Sequence, residues 1–140
     1  MKRIFFFFVI IGFILGATIA MANETGKKQS AVSSAERWLA IVDNGNSSES
    51  WQEASEYFKQ AVKQDQWEQV VQSLRQPLGK LVSRKLKSTS YTTSLPGAPD
   101  GEYVVIQFDT SFENKKSGIE TVTPMMGKDG VWRVSGYYIR

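Results

Sequence analysis

Up to Gly79 the apolar positions of this chain recur every three to four residues; from Leu81 onward they recur every second residue. That change of period divides the sequence into a helical first part and a stranded second part. Ala35, Trp38, Leu39 and Val42 fall at i, i+3, i+4 and i+7 and predict a helix from about Ser30 or Ser33 to Asn44. Ser33 and Glu36 stand at capping-box spacing at its start, and Asn44-Gly45-Asn46 supplies a stop. Trp51, Ala54, Ser55, Phe58 and Val62 predict a second helix from Ser50. Trp67, Val70, Val71, Leu74 and Leu78 predict a third from Asp65, bounded by Pro77 and Gly79. Each helix carries a tryptophan on its apolar stripe, which assigns the rings to core packing rather than to ligand stacking.

The second part reads as four strands. Leu81 to Ser94 is rich in Ser and Thr and holds Arg84-Lys85-Leu86-Lys87, the composition of a solvated edge strand. Pro96-Gly97-Ala98-Pro99-Asp100-Gly101 is a compound turn leading to a long strand, Glu102 to Phe112. In that strand Val104, Ile106 and Phe108 share one side, and Tyr103, Val105, Gln107 and Asp109 the other. Asn114 to Gly118 is predicted as a polar turn and Ile119 to Met126 as the next strand, bent or placed at an edge by Pro124. Lys128-Asp129-Gly130 is a hairpin signal. The last strand, Val131 to Ile139, sets Trp132, Val134, Gly136 and Tyr138 against Arg133, Ser135 and Tyr137. Helices followed by a strand meander imply an α+β fold, with about three N-terminal helices packed on one face of a curved four-stranded antiparallel sheet.

The first 22 residues stand apart from this pattern. Met1-Lys2-Arg3 is a short basic start, Ile4 to Leu15 is apolar apart from Gly12, and Ala20-Met21-Ala22 offers a small-x-small cleavage site. This is the layout of a secretory leader with cleavage after Ala22, although the 19 residues from Ile4 to Ala22 are also long enough for a retained anchor. The expected organisation is a signal peptide over 1–22, a flexible stretch over 23–30 and one α+β domain over 31–140, with a periplasmic or secreted destination. Without Lys2 and Arg3 the remaining 118 residues carry 15 basic and 14 acidic side chains, so their net charge is +1 and gives no argument for nucleic acid.

The chain has no cysteine and no histidine. That excludes disulfides, Ser-His and Cys-His catalysis and the usual zinc sites, and no metal or other cofactor is expected. No Gly-x-Gly-x-x-Gly or Walker pattern is present, which argues against nucleotide binding. Carboxylates remain as the acid–base groups, with Asp109 and Glu120 the candidates for a general base on the concave side of the sheet. Asp43 ends a helix and Asp100 sits in a turn, both ordinary structural positions. Arg75 either satisfies the carbonyls at the end of its helix or, with Arg84 and Lys85, clamps an anion.

Several fragments together resemble a bacterial secreted family: Trp38-Leu39 with Asp43, Trp51, Trp67, Arg75-x-Pro77-Leu78-Gly79, Arg84, Leu95 to Tyr103, and Gly130-x-Trp132-Arg133-Val134-x-Gly136-Tyr137-Tyr138. The family is domain-of-unknown-function family 4019, and the resemblance spans about residues 31–140. It implies location and fold but no activity. The order of elements also looks like the cone-shaped nuclear-transport-factor and cystatin-like architectures. Two functions remain. One is a non-catalytic binding module of the envelope, with a groove lined by Tyr103, Tyr137 or Tyr138, or a surface near Arg75 and Arg84, facing a protein or small ligand. The other is a small isomerase or lyase with Asp109 in a closed pocket. A homodimer through a sheet face is the structural alternative. Membrane contact is expected only through an uncleaved leader.

Overall fold

The computed structural model describes the backbone of residues 4–140 and the side chains of residues 23–140. The expectation of a leader falls on residues 1–22 and lies outside the described side chains. Helix α1 spans Ile4–Asp43, α2 Ser47–Gln52, α3 Glu56–Ala61 and α4 Gln64–Arg75, followed by a 3-10 turn at Gln76–Leu78. Strands β1 (Leu81–Thr92), β2 (Tyr103–Phe112), β3 (Lys115–Met126) and β4 (Trp132–Ile139) form one antiparallel sheet in the order β1-β2-β3-β4. The α+β architecture is as expected, with four α-helices rather than about three. Within residues 23–140 no helix is long and apolar enough to cross a membrane.

Residues 23–30, expected to be flexible, continue α1, and a Glu24–Lys28 pair one turn apart supports them. Because the helix runs through Ser33, that residue caps nothing. At the other end, Asn46 N–H bonds to Ile41 O and Gly45 N–H to Val42 O, with Gly45 at φ 79°. This is a Schellman stop, as Asn44-Gly45-Asn46 predicts. The expected second helix is instead two short ones. Ser55 breaks the run, its hydroxyl accepting from Phe58 N–H to cap α3. Helix α4 begins at Gln64, and Val70 is 56% exposed rather than part of its buried stripe.

Alternation along β2 buries Val104, Ile106, Phe108, Thr110 and Phe112 on one face, and α1 covers that face with Ala31, Ala35, Leu39 and Val42. Trp38 and Trp67 lie between helices and sheet, 5.9 Å apart, with both indole N–H groups donating to Ser50. Trp51 is only partly buried against this core. The predicted polar turn at 114–118 shrinks to Glu113-Asn114, and β3 starts at Lys115. Pro124 sits in a central strand at a register irregularity: Val122 pairs with Tyr137 but Pro124 with Val134. One extra residue in β4 there is a bulge at Ser135-Gly136, and it changes which face the following side chains meet. Strand β1 is the edge strand expected, with register shifts between Leu81 and Ser83 and between Leu86 and Ser88.

Candidate functional site

The C-terminal end of α1 brings a carboxylate to the sheet. Asp43 is the last residue of that helix, where the macrodipole opposes a negative charge. Two arginines overcome this. Arg84 Nη1 donates to Asp43 Oδ2 at 2.8 Å and Arg84 Nη2 to Oδ1 at 3.0 Å, a two-pronged contact. Arg75 Nη2 donates to the same Oδ1 at 2.7 Å. Burial alone would raise the Asp43 carboxyl, but the hydrogen bonds from Arg84 and Arg75 hold it below the ordinary carboxylate range.

Arg84 links this end of the helix to the sheet interior. Its Nε donates to Glu120 Oε1 at 2.7 Å. Glu120 is fully buried, and it also accepts from Thr110 Oγ1 at 2.6 Å and from the Tyr137 hydroxyl at 2.5 Å. Register explains the assembly: Arg84 pairs across from Thr110, Phe108 from Glu120, and Val122 from Tyr137. Burial first, and then the Glu120 charge, push the Tyr137 hydroxyl far above its ordinary value. Burial would lower Arg84, yet its bonds to Asp43 and Glu120 more than offset that and keep the guanidinium charged. Two cations thus face two carboxylates, and every carboxylate oxygen has a protein donor.

Residues 34–137 match a protein family described as Protein of unknown function (DUF4019). The chain belongs to this family. The matched span of DUF4019 takes in Asp43, Arg75, Arg84, Thr110, Glu120 and Tyr137, the whole buried cluster. No curated protein and no solved structure matches the chain.

In this DUF4019 chain the residues singled out from sequence separate into three places. Arg75, Arg84 and Tyr137 come together in the cluster with Glu120. Tyr103 is buried elsewhere, its hydroxyl donating to Pro99 O at 2.6 Å across the 93–102 loop. Tyr138 and Asp109 lie on the sheet face away from the helices, Tyr138 54% exposed. The three tyrosines therefore do not line one groove. The bulge at Ser135-Gly136 turns Tyr137 inward, against Trp38 at 5.3 Å, and sends Tyr138 outward, the reverse of simple alternation. Asp109 is not in a pocket; its carboxylate is 60% exposed with Lys87 Nζ 3.8 Å away. Arg75 does not fold back on the carbonyls of α4. It bonds Asp43 and stacks on the Phe112 ring, 4.8 Å from its centroid.

Among the described residues no group of three or more acidic side chains stands close enough to hold a metal ion. An open groove of about 650 Å³ runs beside the cluster, between the end of α4 and the β2–β3 turn, and includes Arg75, Gln76, Gly79, Lys80 and Glu113 in its walls. Sequence reading missed Asp43 and Glu120 as partners of the arginines. The available signal was Glu120 itself, a carboxylate in step with Val122 and Pro124 on a strand whose sequence is otherwise apolar or small at those positions.

Proposed function

We propose that the chain is a non-catalytic binding or interaction module of the bacterial cell envelope, exported by the leader over residues 1–22 and engaging a protein or small ligand there. The observation that carries this reading is the groove beside Arg75. It is open, and the buried carboxylates behind it are all engaged by protein donors. A general base needs a free lone pair and a pKa near the working pH. Asp43 is held below the ordinary carboxylate range by its arginines, which leaves it a weak base near neutral pH. Asp109 stands in solvent without a pocket, so no observation favours the isomerase or lyase alternative.

Two measurements test the reading. Fractionation with intact-mass analysis should recover a chain beginning at Asn23 in the soluble envelope fraction; an intact 1–22 segment in the membrane fraction contradicts export of a free domain. A photo-crosslinking side chain at Gln76, in the groove wall, should give discrete adducts in cells, whereas one at Ser90 on exposed β1 should not. Adducts at Ser90 alone, or at neither position, overturn the groove as the binding surface. An adduct with the mass of two copies would identify a homodimer as the occupant.

A further inference from the structure

The stop of α1 contains the chain's only Asn-Gly pair, Asn44-Gly45. In such a pair the side-chain amide is open to attack by the next backbone nitrogen, because glycine sets no Cβ beside the approaching atom. Both residues are exposed, so water reaches the amide. The fold restrains the backbone instead. Asn44 N–H donates to Ala40 O at 3.1 Å and carries the helical ladder one residue past Asp43. Gly45 N–H, on the nitrogen that would attack, donates to Val42 O at 3.0 Å, and Asn46 N–H donates to Ile41 O at 3.1 Å. Closing a five-membered ring between Asn44 Cγ and Gly45 N requires the Val42 bond to break and Asn44 to leave the helical region.

We propose that Asn44 is a modification site: a self-deamidating asparagine that the stop of α1 keeps locked, and whose conversion loosens α1 from the buried cluster. The Gly45 nitrogen gives up its proton as it bonds to Asn44 Cγ. The Cγ–Nδ2 bond breaks, and the amide leaves with that proton as ammonia, giving a succinimide. Water then opens the ring at either carbonyl, to aspartate or to isoaspartate, and the latter lengthens the main chain by one methylene. Water is the sole co-reactant. The position gives this step its consequence, because the preceding residue, Asp43, holds Arg75 and Arg84. A carboxylate at 44 stands at the negative end of the helix dipole beside Asp43. An added methylene shifts Gly45 and Asn46 out of their bonds to Val42 and Ile41. Gly45 also lines the groove beside Arg75, although the reaction does not depend on that groove having an occupant.

The test ages the mature chain in mildly alkaline buffer and follows its tryptic fragment 38–59, which holds Asn44. Mass spectrometry reads the gain when an amide becomes an acid, and fragmentation separates position 44 from Asn46. A synthetic peptide of the same segment, and the chain unfolded in urea, give the unlocked rate. The native chain should convert at least about tenfold more slowly than either, because reaction waits on local opening of the helix end. Asp43→Ala should raise the native rate at least about threefold, while Lys27→Gln, remote from the stop, leaves it unchanged. Circular dichroism checks that both variants are folded; should Asp43→Ala not fold, the comparison of native chain with peptide still decides. Native conversion as fast as the peptide's, a peptide that does not convert, or equal rates in two folded variants overturns the proposal. The isoaspartate form, separated by chromatography and verified with an isoaspartyl methyltransferase, should show a lower urea midpoint than the unconverted chain. An unchanged midpoint overturns the link to the cluster.

Discussion

Helix α1 is fastened to the sheet twice, by the same three kinds of side chain. Near its C-terminus Arg84 and Tyr137 donate to Glu120 at 2.7 and 2.5 Å, with Arg84 reaching on to Asp43 of the helix. Nearer its N-terminal end Lys27 and Tyr91 donate to Glu102 at 2.6 and 2.8 Å. Bond lengths barely distinguish the two. Burial does: the Glu120 side chain is 0% exposed and that of Glu102 33%. Water can replace any partner lost from Glu102, whereas a partner lost from Glu120 leaves a charge or hydroxyl in the core with nothing to bond. The first is a structural commitment and the second a surface convenience, although a list of hydrogen bonds would rank them alike.

The largest expected difference follows from deleting each carboxylate. Glu120→Ala strands Arg84, Thr110 and Tyr137 together and should cost about 3–5 kcal/mol in urea denaturation. Glu102→Ala should leave the midpoint unchanged within error; equal losses at the two sites would break the comparison. The tyrosines sharpen it. Tyr137→Phe leaves Glu120 Oε2 without its donor and should cost about 1–3 kcal/mol, while Tyr91→Phe should have no resolvable effect.

The dependence on pH gives a second probe of the buried cluster. Asp43 binds its proton less tightly folded than unfolded. Its contribution is therefore complete above the ordinary carboxylate range and is lost as pH falls below about 4. Tyr137 holds its proton more tightly when folded. Its contribution is complete below about pH 10 and is lost above it, as the unfolded tyrosine ionises. Chemical denaturation across that range should show both limbs, and Tyr137→Phe should flatten the alkaline one. Lys27→Gln, which breaks the same pair as Glu102→Ala, should likewise leave the midpoint unchanged within error, in dilute buffer and in about 1 M NaCl, where screening reaches about 3 Å. The Glu120→Ala loss should persist there.

Much of this fold was legible because local rules and tertiary packing agree. The switch of apolar period at Leu81, the Asn44-Gly45-Asn46 stop, the Asp129-Gly130 turn and the edge character of β1 all appear where the residues place them. Two failures share a cause, a local break that the apolar pattern does not register. Ser55 divides an apparently continuous stripe by capping α3. The Ser135-Gly136 bulge exchanges the faces of Tyr137 and Tyr138, so the tyrosine that belongs to the buried cluster was read as its opposite. In sequence Arg84 reads either as an edge cation of a basic run or as part of an anion clamp with Arg75. Its partner Glu120 lies 36 residues away, and their meeting depends on the register of three strands and on a second contact to the end of α1. A one-dimensional pattern carries burial, but not which buried charges meet.

The claim at the centre of this account is that Arg84 and Glu120 act as one buried unit that fixes α1 to the sheet. A double-mutant cycle with Arg84→Met and Glu120→Leu in urea tests it directly. The account predicts that each single change costs about 3–5 kcal/mol and that the double change costs less than their sum by about 1–3 kcal/mol, because the second removes a charge that the first left unpaired. Single losses below about 1 kcal/mol that simply add would contradict it, and would mean that the pair is no more coupled than Lys27 and Glu102 further back along the helix.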